Sequence, residues 1–219
     1  MQTGYIAMIG AGLAVILCGY LAGSIPTALW LGKALRGIDI REHGSGNAGA
    51  TNAVRVLGWK AGIFVLIIDM GKGLLATTVL WRIAIQLGGS QSSQIQPVVW
   101  QITAGCAAVF GHIFSLFARF RGGKGVGTAA GLFLGLAPWQ TALSLLVFAM
   151  IVWRTRIVSL GSMIGALSLP VALLVTKYGL GRPIPGITLA FAGALVLIIL
   201  YTHRANLKRL VQGEEKTIV

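Results

Sequence analysis

The sequence predicts an all-α membrane protein with seven transmembrane helical segments, and three observations carry that prediction. Of the 219 residues, 56% are hydrophobic and only 11% charged, with a mean hydropathy of +0.83, whereas a soluble domain has about 25% charged residues. Long stretches contain no Asp, Glu, Lys or Arg at all. The remaining cations fall mostly on one face once those stretches are folded back and forth across a bilayer.

About 20 apolar residues cross the hydrocarbon core, and backbone in lipid must be hydrogen-bonded within its own segment, so each stretch reads as helix. Residues 5–32 form the first. They lack a basic leader and run straight into Lys33 and Arg36, so they read as an uncleaved helix and not a signal peptide. Residues 61–81 form the second and hold only Asp69 and Lys72, three apart and able to pair. Ionisable groups inside a membrane are functional candidates, but here a structural ion pair is the preferred reading. Residues 98–118 form the third, and the polar stretch 90–96 before them reads as a lengthened external loop. Residues 126–153, charge-free but interrupted by Pro138, follow, and residues 157–176 and 184–202 complete the set.

The cations decide how to count 126–153. If it spans once, the 18 Lys and Arg divide into 10 on one face and 7 on the other, with Lys72 inside. If it turns back at Pro138, residues 33–60, 119–124, 154–156 and 204–216 share a face and the split becomes 14 against 3, the asymmetry expected of cytoplasmic loops. The chain is therefore read as one membrane domain, residues 1–219, with the N-terminus outside and the C-terminus cytoplasmic. The two halves of the fourth stretch are short. At 1.5 Å per residue they reach about 18 to 23 Å, less than a core about 30 Å thick, so this pair is either short or re-entrant.

Composition also excludes functions. The net charge of +13 sets topology and meets anionic headgroups, and no soluble domain or aromatic platform exists for nucleic acid. Cys18 and Cys106 lie in separate apolar helices and read as free thiols. The acids are Asp39, Glu42, Asp69, Glu214 and Glu215, the histidines His43, His112 and His203, and none has metal-ligand spacing. No metal and no cofactor are expected. His112 reads as an interfacial or packing residue. His203, with Asn206 one turn on, stands at the end of the last span.

Two runs are too polar and glycine-rich for their surroundings: Gly44-Ser45-Gly46-Asn47-Ala48-Gly49-Ala50-Thr51-Asn52 and Arg121-Gly122-Gly123-Lys124-Gly125-Val126-Gly127-Thr128. Glycines let consecutive amides turn toward an anion, Lys124 adds a point charge, and Thr128 sits in the first turn of the next helix. The spacing departs from the G-x-x-x-x-G-K-[ST] pattern, so nucleotide is not implied. Ser45, Asn47, Thr51 and Asn52 offer hydroxyls and amides, and Arg55, four residues after Thr51 on a helix over 48–57, offers a planar fork for phosphate.

Those runs, with Gly23-Ser24-Ile25-Pro26, Gly111-His112, Val158-Ser159-Leu160-Gly161-Ser162 and His203-Arg204-Ala205-Asn206-Leu207-Lys208-Arg209-Leu210 followed by Glu215, resemble the bacterial acyl-phosphate-dependent glycerol-3-phosphate 1-acyltransferases. The likeness extends over residues 19–218, in order and at similar intervals. It implies transfer of a fatty acyl group from acyl phosphate to the 1-hydroxyl of glycerol 3-phosphate by a seven-helix inner-membrane enzyme with a cytoplasmic site, using neither acyl-CoA nor metal. The partners implied are those two substrates, membrane lipid and the enzyme that produces acyl phosphate. Carried over by position, Ser45, Arg55, Lys124, His203 and Asn206 are the candidate catalytic residues. Asn47, Thr51, Asn52, Gly122, Gly123, Gly125, Thr128 and Ser162 are the candidate substrate ligands, and Glu215 looks structural. Ser115 and Arg121 stand where proline and lysine are common in the family, a difference of local helix geometry.

Acyl phosphate is an activated anhydride, so the protein has chiefly to align the hydroxyl with the carbonyl and stabilise developing negative charge. No Asp lies five residues after a His. A substrate phosphate is therefore the expected proton acceptor, with His203 as the side-chain alternative and a Ser45 acyl-enzyme less favoured. The rival readings are a membrane transporter of a phosphorylated solute, and an acyltransferase that uses acyl-CoA or acyl carrier protein.

Overall fold

The computed structural model describes residues 2–218, and every regular element among them is helical. Helix α1 (Gln2–Gly23) is followed, after a break at Ser24-Ile25-Pro26, by α2 (Thr27–Arg36). A short α3 (Ala50–Leu57) precedes α4 (Trp59–Leu75), which continues through a π-helical turn, Ala76–Leu80, into α5 (Arg82–Ser93). Then come α6 (Pro97–Ile113), α7 (Val126–Leu136), α8 (Pro138–Thr155), α9 (Val158–Leu174), α10 (Gly186–Thr202) and α11 (Arg204–Val211). Among the described residues four helices, Thr3–Arg36, Trp59–Ser90, Pro97–Ala118 and Val158–Gly179, are long and apolar enough to cross a membrane, or five if α10 and α11, bent by 63°, count as one span.

Close approaches at small residues fix the relative directions of three helix pairs. Gly19 abuts Ala104 and Gly23 abuts Ala108, so α1 and α6 run parallel; Gly73 meets Thr128 and Gly135 meets Thr77, so α4 and α7 do too. Gly161 packs on Val152 and Gly165 on Ser144, making α8 and α9 antiparallel. Residues 124–127 and Val152 border one cavity, so the chain reverses between α7 and α8, where Pro138 takes the first helical position. That is the reversal the cation count requires. Helix α7, at 11 residues, rises about 17 Å, well short of a full span.

Residues 90–96 differ from the expected loop. Helix α5 carries on to Ser93 across a kink at Gly89, and Trp100 Nε1 donates to Ser92 O at 3.2 Å. Packing on α1 and α6 supplies the stability that this polar sequence lacks on its own.

At the opposite end, Asp69 and Lys72 pair at 2.6 Å, both buried. Lys72 also donates to Ile25 O in the α1–α2 break, while Thr27 Oγ1 donates to Asp69 Oδ1 at 3.4 Å and His112 Nδ1 lies 3.6 Å from it. The ion pair expected from spacing is thus the centre of a cluster joining α2, α4 and α6. Asp69→Ala strands the Lys72 ammonium. It is expected to destabilise the protein by about 3–5 kcal/mol, measurable as a lowered unfolding midpoint in detergent. Nearby, Ser115 Oγ donates to Ser24 O, tying the end of α6 to the end of α1.

Candidate functional site

The first polar run folds as a loop closed by one buried side chain. Asn52 Oδ1 accepts the Ser45 N–H at 2.7 Å, and Nδ2 donates to Ile40 O at 2.9 Å and His43 O at 3.1 Å. A Cβ at Gly44, where φ is +64°, would lie 2.3 Å from Asn52 Oδ1, so only glycine admits this approach. Asn52 therefore builds the loop, and its amide is committed to backbone, unlike the ligand role expected for it. The loop leads into α3, whose Thr51 and Arg55 stand one turn apart toward a common cavity.

The second run divides its glycines between two tasks. Gly122 N–H donates to Ile113 O at 3.1 Å and Gly123 N–H to His112 O at 3.0 Å, so these two amides are taken by the end of α6, not offered to an anion as expected. They border the narrow gap over Asp69, Lys72 and His112. Gly125, at φ +84°, turns the chain into α7, and the Gly125, Val126 and Gly127 backbone borders the main cavity. First-turn N–H groups lack intrahelical partners, so this helix start carries donors and a positive dipole end. Thr128 is fully buried behind it, its hydroxyl without a hydrogen-bond partner among the described residues, and does not line that cavity.

A chain of hydrogen bonds organises the cations. Lys124 Nζ donates to Asn206 Oδ1, Asn206 Nδ2 donates to Glu215 Oε1, and that carboxylate also accepts from Ser159 Oγ and Arg209 Nε, each at 2.7 Å. Burial works against the Glu215 carboxylate, but the bonds from Ser159, Asn206 and Arg209 outweigh it and hold its pKa below the usual range. Burial also lowers the Lys124 pKa to about 8, Arg209 and Arg55 adding to the effect against the attraction of Glu215. His203, capping α10, is lowered to about 4 by burial and by Lys124. It is neutral at physiological pH, and its Nδ1, 2.8 Å from Ile199 O, takes the proton of the neutral ring, which leaves the Nε2 lone pair available.

These elements enclose a cavity of about 250 Å³ at one end of the bundle. Of the residues expected from sequence, Ser45, Asn47, Thr51, Asn52, Arg55, Lys124, Gly125, Ser162, His203 and Asn206 all border it, whereas Gly122, Gly123 and Thr128 do not. It is also bordered by Leu66, Asp69, His112, Phe148, Ser159 and Ile218, none of which the sequence reading placed there. For His112 and Asp69 a signal existed, since both are polar groups in apolar runs. An apolar cavity of about 70 Å³ between α7, α8, α9 and α10 adjoins the first, the two sharing Val126, Phe148 and Ser162. A cavity lined by cations, amides and hydroxyls thus adjoins an oily slot.

Comparison with known proteins finds relatives that cover most of the chain. A family model described as glycerol-3-phosphate acyltransferase matches residues 13–213. A glycerol-3-phosphate acyltransferase of Salinibacter ruber is 44% identical over 208 residues, covering 93% of this chain and 91% of its own. One from Chlorobaculum tepidum is 43% identical over 224 residues, covering 94% and 96%. The glycerol 3-phosphate form of PlsY (YgiH), an integral membrane glycerol 3-phosphate acyltransferase, superposes with a TM-score of 0.78 at 34% identity over 94% of each chain. Its lysophosphatidic acid form gives a TM-score of 0.76 at the same identity and coverage.

Proposed function

The chain belongs to the glycerol-3-phosphate acyltransferase family, and from that premise we propose that it transfers a fatty acyl group from acyl phosphate to the sn-1 hydroxyl of glycerol 3-phosphate. The products are lysophosphatidic acid and inorganic phosphate, the first step of bacterial phospholipid synthesis. The observation that carries this reading is the junction of the two cavities at Val126, Phe148 and Ser162. An acyl chain in the apolar slot brings its head to the start of α7 and Lys124. There the leaving phosphate meets helix amides and an ammonium. Glycerol 3-phosphate then occupies the other side of the polar cavity, toward Arg55, Thr51, Ser45 and Asn47, with His203 and Asn206 beside its hydroxyls.

In the reaction the 1-hydroxyl oxygen forms an ester bond to the carbonyl carbon, the bond from that carbon to the phosphate oxygen breaks, and inorganic phosphate departs. The hydroxyl proton passes to a substrate phosphate oxygen. A phosphate with a second pKa of about 6 is a better matched base than His203 at about 4, while the histidine orients the hydroxyl through Nε2. The acid limb of kcat/KM is accordingly expected to follow the substrate's ionisation and to persist at the same pH in His203→Gln. Disappearance of that limb in the variant makes the histidine the proton acceptor.

With the seven apolar segments read as alternating in direction, the end that holds the site carries residues 33–60, 119–124, 154–156 and 204–216 with their 14 cations. On the positive-inside rule that end faces the cytoplasm, α7 and α8 forming the short pair of a seven-span protein in the inner membrane. The gathering of cations at one end favours catalysis at the membrane surface over passage of a solute through the midplane.

Purified protein given glycerol 3-phosphate with acyl phosphate, acyl-CoA or acyl carrier protein in turn tests the donor. Lysophosphatidic acid is expected from acyl phosphate alone. Turnover with a thioester alone overturns the donor, and no turnover combined with solute flux in proteoliposomes returns the transporter. The oily slot has its own test. Ala166 borders it, and Ala166→Phe is expected to lower turnover of palmitoyl relative to octanoyl phosphate by about tenfold, since overpacking costs about 1–3 kcal/mol.

A further inference from the structure

Beyond α11 the chain turns at Gly213, where φ is +72°, and returns across the site. The Glu215 carboxylate pins the start of this segment through Ser159, Asn206 and Arg209. Two residues later it is held on both sides. Ile218 N–H donates to Arg156 O at 2.8 Å, on the turn between α8 and α9. Arg55 on α3 donates from Nη2 to Lys216 O at 2.9 Å and Thr217 O at 3.0 Å, and from Nε to Thr217 O at 3.3 Å. Ile218 itself borders the polar cavity.

The geometry points to the main chain of Lys216–Ile218 as a positioning strap that holds the Arg55 guanidinium for the phosphate of glycerol 3-phosphate. A free arginine side chain loses rotamer entropy worth about 2 kcal/mol when a ligand immobilises it. The strap performs that immobilisation in advance. Its acceptors are neutral carbonyls, so they orient the fork without cancelling its charge, as a carboxylate would. They engage Nε and Nη2 and leave the two Nη1 N–H groups for the phosphate. The strap spans from α3 to the α8–α9 turn, so it also closes the cavity on the side where glycerol 3-phosphate is placed.

The inference rests on the reading of Arg55 as the glycerol 3-phosphate ligand, and the test separates the two. Three purified proteins are compared: the full chain, a chain ending at Glu215, and Ile218→Pro, which removes the N–H held by Arg156 together with the Ile218 side chain and restricts the backbone at Thr217. Both variants are expected to raise KM for glycerol 3-phosphate about tenfold, with KM for acyl phosphate and the unfolding midpoint nearly unchanged. A KM for glycerol 3-phosphate that stays within twofold in both overturns the strap. A lower KM overturns it too, for the segment then competes with substrate. A parallel rise in both KM values with a lowered midpoint makes the contact merely structural. Equilibrium binding of glycerol 3-phosphate to the same proteins is the second readout. Binding by the full chain without turnover sinks the donor assignment alone, while equal affinity in the full and shortened chains sinks the strap alone.

Discussion

Lys124→Ala is expected to slow single-turnover acyl transfer by about a thousandfold, with a smaller change in substrate affinity. Lys124 borders the polar cavity two residues before Val126, which both cavities share, at the start of α7, the place proposed for the leaving phosphate and the developing oxyanion. A preorganised donor aimed at transition-state charge contributes about 10²–10³ in rate, and this one is also the ammonium nearest the departing group. The substitution has a second effect, since Asn206 Oδ1 loses its donor and the bond chain to Glu215 slackens. The pH dependence follows from the same residue. Burial and the neighbouring arginines bring Lys124 to about 8, so its charge is present below that pH and lost above it. The kcat/KM profile is therefore expected to fall as pH rises through about 8. In Lys124→Arg, whose guanidinium keeps its proton beyond pH 12, the alkaline limb is expected to vanish at a reduced plateau. A limb unchanged in Lys124→Arg assigns it to another group.

The helices and the reversal at Pro138 were legible because apolar run length and the distribution of Lys and Arg are properties of sequence alone. The meeting of Arg55 with Lys124 and His203 was legible as chemistry, since cations and amides in an oily chain have few other uses. Four things were not. Glycine at 122 and 123 is equally compatible with an anion cradle and with a tight backbone join, and only the position of the Ile113 and His112 carbonyls decides for the join. Asn52 offers the same groups to a loop as to a ligand, and the decision lies with Ile40 and His43. The strap acts through main-chain carbonyls, which every residue possesses, so it leaves no mark in composition or spacing. The 90–96 stretch was misread for a related reason: its helix is held by partners on α1 and α6, not by its own periodicity.

Arg55→Ala is expected to raise KM for glycerol 3-phosphate about a hundredfold while lowering kcat far less. Its warrant begins with α3, eight residues long with Thr51 and Arg55 on one face. Arg55 is partly withdrawn from water and its pKa is lowered by burial, yet an arginine stays charged throughout the working range. A hydrogen bond to a charged partner contributes about 1.5–3 kcal/mol, which corresponds to roughly 10- to 150-fold in affinity at 1.4 kcal/mol per decade, and the two Nη1 donors of a preoriented cation place Arg55 in the upper part of that range. Arg55→Lys restores charge but not the fork, so partial recovery is expected, and full recovery would show that charge alone suffices. The variant also carries an internal check. Arg55 is one of the charges that depress Lys124, so removing it moves the Lys124 pKa upward, and the alkaline limb of kcat/KM is expected to shift to higher pH in Arg55→Ala. For the same reason the effects of Arg55→Ala and Lys124→Ala should not add in the double variant. An unshifted limb together with additive losses would mean that the two cations serve separate sites, and the placement of both phosphates in one cavity would then fail.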